Sequence, residues 1–158
     1  RSTFHRRLYR RDLAETIDFG RFLNDFCTEI GRSLLPPDAR VELSVEAGKV
    51  PLSSDKVIPL ALIAFELVTN GIKHARPATG KGRLQIACNA DEAALIILTI
   101  ADNGPGLPPK SEDQTGLGMR LVDILVSQLR GTLSVTTGPS GTCFTVTVPG
   151  IQTVAVAA

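Results

Sequence analysis

Apolar residues recur at helical spacing in three parts of the chain. The first part carries a single apolar stripe, formed by Phe19, Phe22, Leu23, Phe26, Ile30 and Leu34. Because neighbours in this stripe are mostly three or four positions apart, they predict a helix with one buried face. A second helix is predicted from about Asp55 to Ala75, with residues 53–55 offering an N-cap, and a third from Leu117 to Leu129.

Between these helices, shorter segments alternate apolar and polar residues with period two, which is typical of strands. They are VELSVEA (41–47), RLQIACNAD (83–91), ALIILTIAD (94–102), TLSVTT (132–137) and TCFTVTV (142–148). The third of these is nearly all apolar, which predicts a central strand. The order helix, strand, helix, two strands, helix, two strands predicts an α+β fold. We expect a two-layer α/β sandwich in which helices cover a mixed, mostly antiparallel sheet.

The charge of the chain is nearly balanced, with 17 basic and 16 acidic residues and a formal net charge of +1. This balance argues against a nucleic-acid partner. Cys27, Cys88 and Cys143 include no Cys-x-x-Cys pair and are predicted to be packing residues in a reducing compartment. Since the longest apolar run is too short to cross a bilayer and no signal peptide is visible, a soluble, cytoplasmic domain is expected. The chain begins with arginine, so a fragment of a longer protein is expected.

The second predicted helix ends in a polar row within an otherwise apolar segment. Glu66, Asn70 and His74 stand four residues apart, and Lys73 lies at the edge of the same face. The amide oxygen of Asn70 is a hard ligand of the kind that Mg²⁺ prefers. Glu66, one turn earlier, is suited to orienting or deprotonating an attacking group or a metal-bound water. Taken alone, the row also fits the solvated face of a helix.

Two glycine-rich segments follow the row. In ADNGPG (101–106), Asp102 ends an apolar strand, and its carboxylate can accept a hydrogen bond from the exocyclic amine of adenine, where guanine presents a carbonyl oxygen. In GLGMR (116–120), Gly116 and Gly118 open the third helix, where backbone N–H groups and the helix dipole favour a phosphate. Either segment by itself is more often a plain turn or a helix cap. The functional interpretation therefore depends on their occurring together, in this order, after the polar row.

Together the three motifs resemble those of the GHKL ATP-binding fold. ELVTNGIKHA resembles the N box of that fold, DNGPG resembles the G1 box, and GLGMR resembles the G2 box. Within that superfamily the sequence is most similar to the catalytic ATP-binding domain of bacterial sensor histidine kinases. The Lys-His pair in the N box and the sequence RLVDILVSQLRGTLSV after the G2 box resemble those of the HisKA_2/HWE branch. The short segment between the G boxes, without an aromatic F box, also fits that branch. The resemblance covers roughly residues 16–150.

The resemblance implies a role for each matching position, with ATP and Mg²⁺ as cofactors. Asn70 would bind Mg²⁺, Glu66 would act as general base or polarise the acceptor, and Lys73 would contact phosphate. Asp102 would recognise adenine by accepting a hydrogen bond from its amine, and Thr142 would assist through a water molecule. The glycines of the two G boxes would provide hinges and phosphate-facing amides: Gly104, Gly106, Gly116 and Gly118. Two further positions stay open between a phosphate contact and a structural or surface role: His74 and Arg120.

The resemblance also implies the organisation of the chain and its partners. Residues 1–15 are expected to be a linker or the end of a dimerisation helix, residues 16–150 the catalytic ATP-binding domain, and residues 151–158 a tail. The phosphoacceptor of such kinases lies in a motif His-Arg-x-Lys-Asn, which His5 does not match. The acceptor is therefore expected on a dimerisation domain absent from this chain. A response regulator would receive the phosphoryl group next, and the full-length protein would be a homodimer.

Two alternative functions stay open on the sequence. An anti-sigma-factor-type serine kinase has the same fold and boxes and would phosphorylate a serine of a tightly bound partner. A degenerate phosphotransfer domain would keep the fold without binding ATP, although the intact polar row and glycines argue against it.

Overall fold

The helices and strands of the computed structural model follow the predicted order, with two short strands in addition. The structure describes residues 15–35, 38–75, 77, 80–107 and 117–151. The helices are α1 (Phe19–Leu34), α2 (Val57–His74) and α3 (Leu117–Gln128). The strands are β1 (Thr16–Asp18), β2 (Val41–Ala47), β3 (Pro51–Ser53), β4 (Gly82–Ala90), β5 (Leu95–Asp102), β6 (Thr132–Gly138) and β7 (Gly141–Pro149). A 3₁₀ turn, Ser54–Lys56, leads into α2.

The five longer strands form one sheet in the order β2-β4-β5-β7-β6. β2 and β4 run parallel, and the other neighbouring pairs are antiparallel. Alternate residues of β4, β5 and β7 are buried, and the three helices pack against the sheet. These findings confirm the predicted α+β two-layer sandwich with a mixed, mostly antiparallel sheet, and they confirm β5 as its central strand.

Helix α2 packs against β4, β5 and α3 and is the most apolar of the three described helices. With the 3₁₀ turn before it, it forms a segment, Ser54–His74, that is long and apolar enough to cross a membrane by length and composition. Its apolar residues also supply the domain core, since the following are fully buried: Leu60, Ile63, Ala64, Leu67 and Val68. The burial of this face and the polar row at its C-terminal end are both typical of a core helix that leads into a site.

The two additional strands, β1 and β3, were not predicted. They pair antiparallel, with Ile17 opposite Leu52, and each has three residues, which is too few for a period-two pattern to be recognised. This pairing also makes the predicted N-cap at residues 53–55 wrong. Ser53 belongs to β3, and α2 begins after Lys56 without a side-chain cap. The linker or dimerisation-helix end predicted for residues 1–15 lies outside the described residues except for Glu15.

Asp18 connects the start of α1 to the segment that enters β3. Its Oδ1 atom accepts hydrogen bonds from the backbone N–H groups of Gly20 and Val50, each at 3.0 Å. The first bond caps α1, and the second holds together two segments far apart in sequence. The bond from Val50 is the main cause that lowers the pKa of Asp18 below its ordinary value of 3.8.

The cysteines occupy the interior or its margin, with Cys27 and Cys88 buried and Cys143 half-buried. Burial raises the pKa of Cys27 to about 11 and that of Cys88 to about 12. A buried thiol that stays protonated is a poor nucleophile and a poor metal ligand. The packing role predicted for Cys27 and Cys88 is therefore confirmed.

Candidate functional site

A cavity of about 310 Å³ opens beside the C-terminal end of α2, close to β5, α3 and the β6–β7 hairpin. It is lined by Asn70, Gly71, His74, Asp102, Leu107, Met119, Asp123, Leu133, Val135 and Phe144. Three of the predicted site residues thus line one space, although Asp102 ends β5 whereas Asn70 and His74 belong to α2. Mostly apolar walls with a few convergent polar groups are typical of a small-molecule site.

The carboxylate of Asp102, the last residue of β5, is held in place by backbone groups. Its Oδ1 atom accepts from the N–H of Gly104 at 2.8 Å and from the N–H of Thr142 at 3.3 Å. In the described part of the chain, nothing donates a hydrogen bond to its other oxygen, Oδ2. A carboxylate with one oxygen fixed and the other available presents a well-oriented acceptor to a ligand. Thr142, which is buried, therefore supports Asp102 through its backbone N–H group.

The turn after β5 packs closely on two neighbouring elements. A Cβ atom at Gly104 would collide with the carbonyl oxygen of His74, so this turn can contact the end of α2 only with glycine at that position. Gly106 has φ of +91°, a conformation that side chains rarely adopt, and it lies against the carbonyl of Gly138 in the β6–β7 hairpin. The Gly104 N–H group is engaged by Asp102. Gly104 therefore fixes the position of the adjacent carboxylate, and Gly106 allows the turn to lie against the β6–β7 hairpin.

The members of the polar row of α2 contact different parts of the structure. Asn70 is half-buried, and its Nδ2 atom donates to the Met119 sulfur at 3.5 Å, which leaves the amide oxygen for a ligand. One turn earlier, Glu66 is half-buried and its Oε1 atom lies against Gly118 in the first turn of α3. Lys73 is exposed and does not line the cavity. The row therefore contacts the cavity through Asn70 and His74, while Glu66 contacts the start of the next helix.

One of the predicted site residues, Gly116, falls outside the described residues. Gly118 lies in α3 and is close to Glu66, because a Cβ at this position would collide with the Glu66 carboxylate. Arg120 is exposed and is not among the cavity-lining residues.

Sequence reasoning missed the apolar walls of the cavity, the lining residue Asp123, and an exposed threonine, Thr137, that contacts the lining residue Leu107. Thr137 pairs with Thr142 across the β6–β7 hairpin, and their hydroxyl oxygens are 2.9 Å apart. The Thr137 hydroxyl also accepts from the N–H of Leu107 at 2.8 Å. A signal was present in the sequence, because the period of a strand places Leu133, Val135 and Thr137 on one face of β6. That face became recognisable as part of the site only once the hairpin was placed beside Asp102.

Residues 55–152, more than half of the chain, match the family of histidine kinase-, DNA gyrase B- and HSP90-like ATPases (HATPase_c). The chain therefore belongs to this family, as an ATP-binding catalytic domain of the sensor histidine kinase type.

Similar proteins agree with this assignment. Blue-light-activated histidine kinase 2 of Erythrobacter litoralis is 27% identical over 111 residues, which cover 69% of this chain and 32% of that protein. The C4-dicarboxylate transport sensor protein DctB of Rhizobium meliloti is 35% identical over 96 residues, which cover 51% of this chain and 15% of that protein. A solved structure, the histidine kinase domain from the Erythrobacter litoralis EL346 blue-light activated histidine kinase, has a TM-score of 0.76 at 25% identity. That likeness covers 85% of this chain and 62% of the other.

The predicted resemblance is thereby confirmed. The chain matches about a third of the first of these curated relatives and less of the second.

Proposed function

We propose that this chain is the catalytic part of a two-component sensor kinase. It binds Mg·ATP in the cavity beside α2 and transfers the γ-phosphoryl group to a histidine on a dimerisation domain of the same kinase. Residues 16–150 form the catalytic domain, residues 1–15 are a linker or the end of a dimerisation helix, and residues 151–158 are a tail. The domain works in the cytoplasm, the full-length protein is a homodimer, and a response-regulator aspartate receives the phosphoryl group.

The observation that carries this proposal is the fixed carboxylate of Asp102 at the wall of a largely apolar cavity. An adenine ring is flat and apolar on its faces, so side chains such as Leu133 and Phe144 suit it. Its exocyclic amine donates to the Oδ2 atom of Asp102. Guanine presents a carbonyl oxygen at the same place, and two acceptors would then oppose each other.

The site assigned to magnesium is Asn70, which lines the same cavity. Asn70 directs its amide nitrogen to Met119 and so keeps its oxygen, the atom that binds a hard cation, for the ligand side. Within the residues that the structure describes, no three His, Cys, Asp or Glu side chains come together to hold a metal ion. A magnesium ion held by Asn70 would therefore need phosphate oxygens and water as its other ligands, as this ion commonly does. When bound, it neutralises the charge of the phosphates.

The remaining polar residues are assigned to phosphoryl transfer. Glu66 polarises or deprotonates the acceptor, and the exposed ammonium group of Lys73 contacts the phosphates. His74 lines the cavity and is a further candidate for a phosphate contact. The first turn of α3, at Gly118, and the glycines Gly104 and Gly106 shape the phosphate side of the site. Positioning and charge neutralisation supply most of the catalysis in phosphoryl transfer.

Thermal unfolding of the 158-residue chain with ATP, ADP or GTP, each with and without Mg²⁺, tests the nucleotide part of this proposal. A ligand at about 100 times its dissociation constant stabilises the folded state by about 2.7 kcal/mol. For a domain of this size the midpoint should rise by about 5 °C or more. We expect such a rise with ATP and ADP, a further rise for ATP with Mg²⁺, and little change with GTP. An absent response to every nucleotide would favour the degenerate phosphotransfer domain instead.

A further inference from the structure

Thr137 connects three parts of the site without lining the cavity itself. Its hydroxyl oxygen accepts a hydrogen bond from the N–H of Leu107, at 2.8 Å, in the turn after β5. The same oxygen is 2.9 Å from the hydroxyl oxygen of Thr142. Thr142 in turn donates its backbone N–H to Asp102. Thr142 is also the cross-strand partner of Asp102, so its hydroxyl lies on the same face of the sheet as the carboxylate assigned to the adenine amine.

The direction of the hydrogen bond between the two hydroxyls matters for a ligand. Each hydroxyl has one hydrogen to donate and two lone pairs that accept. The Leu107 N–H group uses a lone pair of Thr137, and a chain of hydrogen bonds is strongest when every member donates in the same direction. Thr137 then donates to Thr142. The hydrogen of Thr142 is left for a ligand, which it reaches directly or through one water molecule.

We propose that Thr137 is a positioning residue for adenine specificity, because it keeps the hydroxyl of Thr142 as a hydrogen-bond donor beside the acceptor carboxylate of Asp102. This inference rests on the proposed binding of adenine nucleotides. Adenine presents a donor, its amine, next to an acceptor, the ring nitrogen N1, and this pattern matches an acceptor beside a donor. Guanine presents a carbonyl oxygen next to an N1–H group, so both of its groups meet the wrong partner.

The test compares dissociation constants of ADP and GDP, measured by calorimetry, for the 158-residue chain and its Thr137→Val variant. Valine keeps the branched shape and removes the hydroxyl. A net hydrogen bond is worth about 0.5–1.5 kcal/mol, so ADP binding should weaken by about 3- to 10-fold. GDP binding should not weaken, so the preference for ADP over GDP should fall by a similar factor. Thr137→Ser, which retains a hydroxyl, should restore the preference.

Thr136→Val is the matched control. Thr136 is the neighbouring residue on β6, its side chain points to the opposite face of the strand, and it is exposed. This variant should bind both nucleotides like the original chain. Equal weakening of ADP and GDP by Thr137→Val, or the same change in Thr136→Val, would overturn the inference in favour of a purely structural role.

A modified nucleotide tests the final step of the chain of hydrogen bonds. In 1-deaza-ADP, a C–H group replaces the ring nitrogen N1 and cannot accept from Thr142. The original chain should bind this analogue more weakly than ADP, and Thr137→Val should weaken its binding no further. If Thr137→Val does not fold, the test is the binding of the two nucleotides to the original chain. Equal affinity of that chain for ADP and 1-deaza-ADP would refute the inference. Failure of the original chain to bind ADP would instead refute the proposed function.

Discussion

At the scale of single residues, Asp102→Asn separates the ligand role of this side chain from its structural one. The asparagine oxygen can still accept from the N–H groups of Gly104 and Thr142, so the turn after β5 should keep its conformation. Its NH₂ group then takes the place of Oδ2 and faces the adenine amine. Because both groups are hydrogen-bond donors, the hydrogen bond to adenine is lost. A hydrogen bond to a charged group is worth about 1.5–3 kcal/mol, so ADP affinity should fall by about 10- to 100-fold. Calorimetry measures this change, and an affinity close to that of the original chain would contradict the adenine role.

Asn70→Ala tests the assigned metal ligand at the same scale. The substitution removes the amide oxygen, so Mg²⁺ should no longer tighten ATP binding, while binding in EDTA should change little. Titrations of ATP with Mg²⁺ and with EDTA measure the two affinities. Asn89→Ala, at an exposed position of β4, is the control and should keep the full magnesium response. An undiminished response in Asn70→Ala would show that the ion has other ligands.

At the scale of elements, two glycine substitutions should have opposite effects because their neighbours differ. In Gly118→Ala the new methyl group meets the end of the flexible Glu66 side chain, which can move away. The stability of the ligand-free domain should stay the same or rise by up to about 1 kcal/mol, because alanine favours a helix. Phosphoryl transfer should slow, because Glu66 is displaced.

In Gly104→Ala the methyl group meets the backbone carbonyl of His74, which cannot move away. This variant should lose about 1–3 kcal/mol of stability. Urea unfolding of both variants measures the difference. Equal loss of stability in the two would contradict the expectation that the Glu66 side chain can move away from the new methyl group.

The bonds of Asp18 between α1 and the entrance to β3 should make stability depend on pH. The pKa of this carboxyl is lowered in the folded state, so its contribution is fully present above its unfolded value of 3.8 and is lost as pH falls through the lower folded value. Asp18→Ala should therefore cost about 1 kcal/mol at neutral pH and progressively less in acid. Asp18→Asn, which keeps an acceptor oxygen but does not titrate, should show no such pH dependence. Unfolding by urea across this pH range measures both effects, and a constant cost for Asp18→Ala would contradict the lowered pKa.

The same elements show what could be read from the sequence. The three helices and five longer strands have enough residues for periods of 3.6 and 2 to be visible, and they were predicted in order. The strands β1 and β3 have three residues each, and only their mutual pairing defines them. Ser53 carries the local signal of a helix cap, but tertiary pairing uses its backbone in β3.

At the scale of the whole molecule, the three boxes could be recognised because each is contiguous in sequence. The site also contains contacts between segments that are far apart, such as Leu107 with Thr137 and Asn70 with Met119. Residue spacing carries no information on those pairs, because the sheet order brings them together. Motif reasoning could therefore name Asp102 and Asn70, but only the fold could show what holds each of them in place.

Phosphoryl transfer to a second polypeptide is the prediction that involves the whole kinase. Mixed with a separately expressed dimerisation hairpin that carries a phosphoacceptor histidine, the chain should label that hairpin from radioactive ATP. Glu66→Gln keeps the size of the side chain next to Gly118 but removes its basicity. The transfer rate constant should fall by about 100-fold or more, since general base catalysis contributes about 10²–10⁴, while ATP affinity stays the same. Glu46→Gln, at an exposed position of β2, is the control and should transfer at the original rate. Label that is lost in acid but stable in alkali is phosphohistidine, whereas acid-stable label would favour the serine kinase. A Glu66→Gln variant as fast as the original chain would leave this carboxylate with a structural role against α3 only.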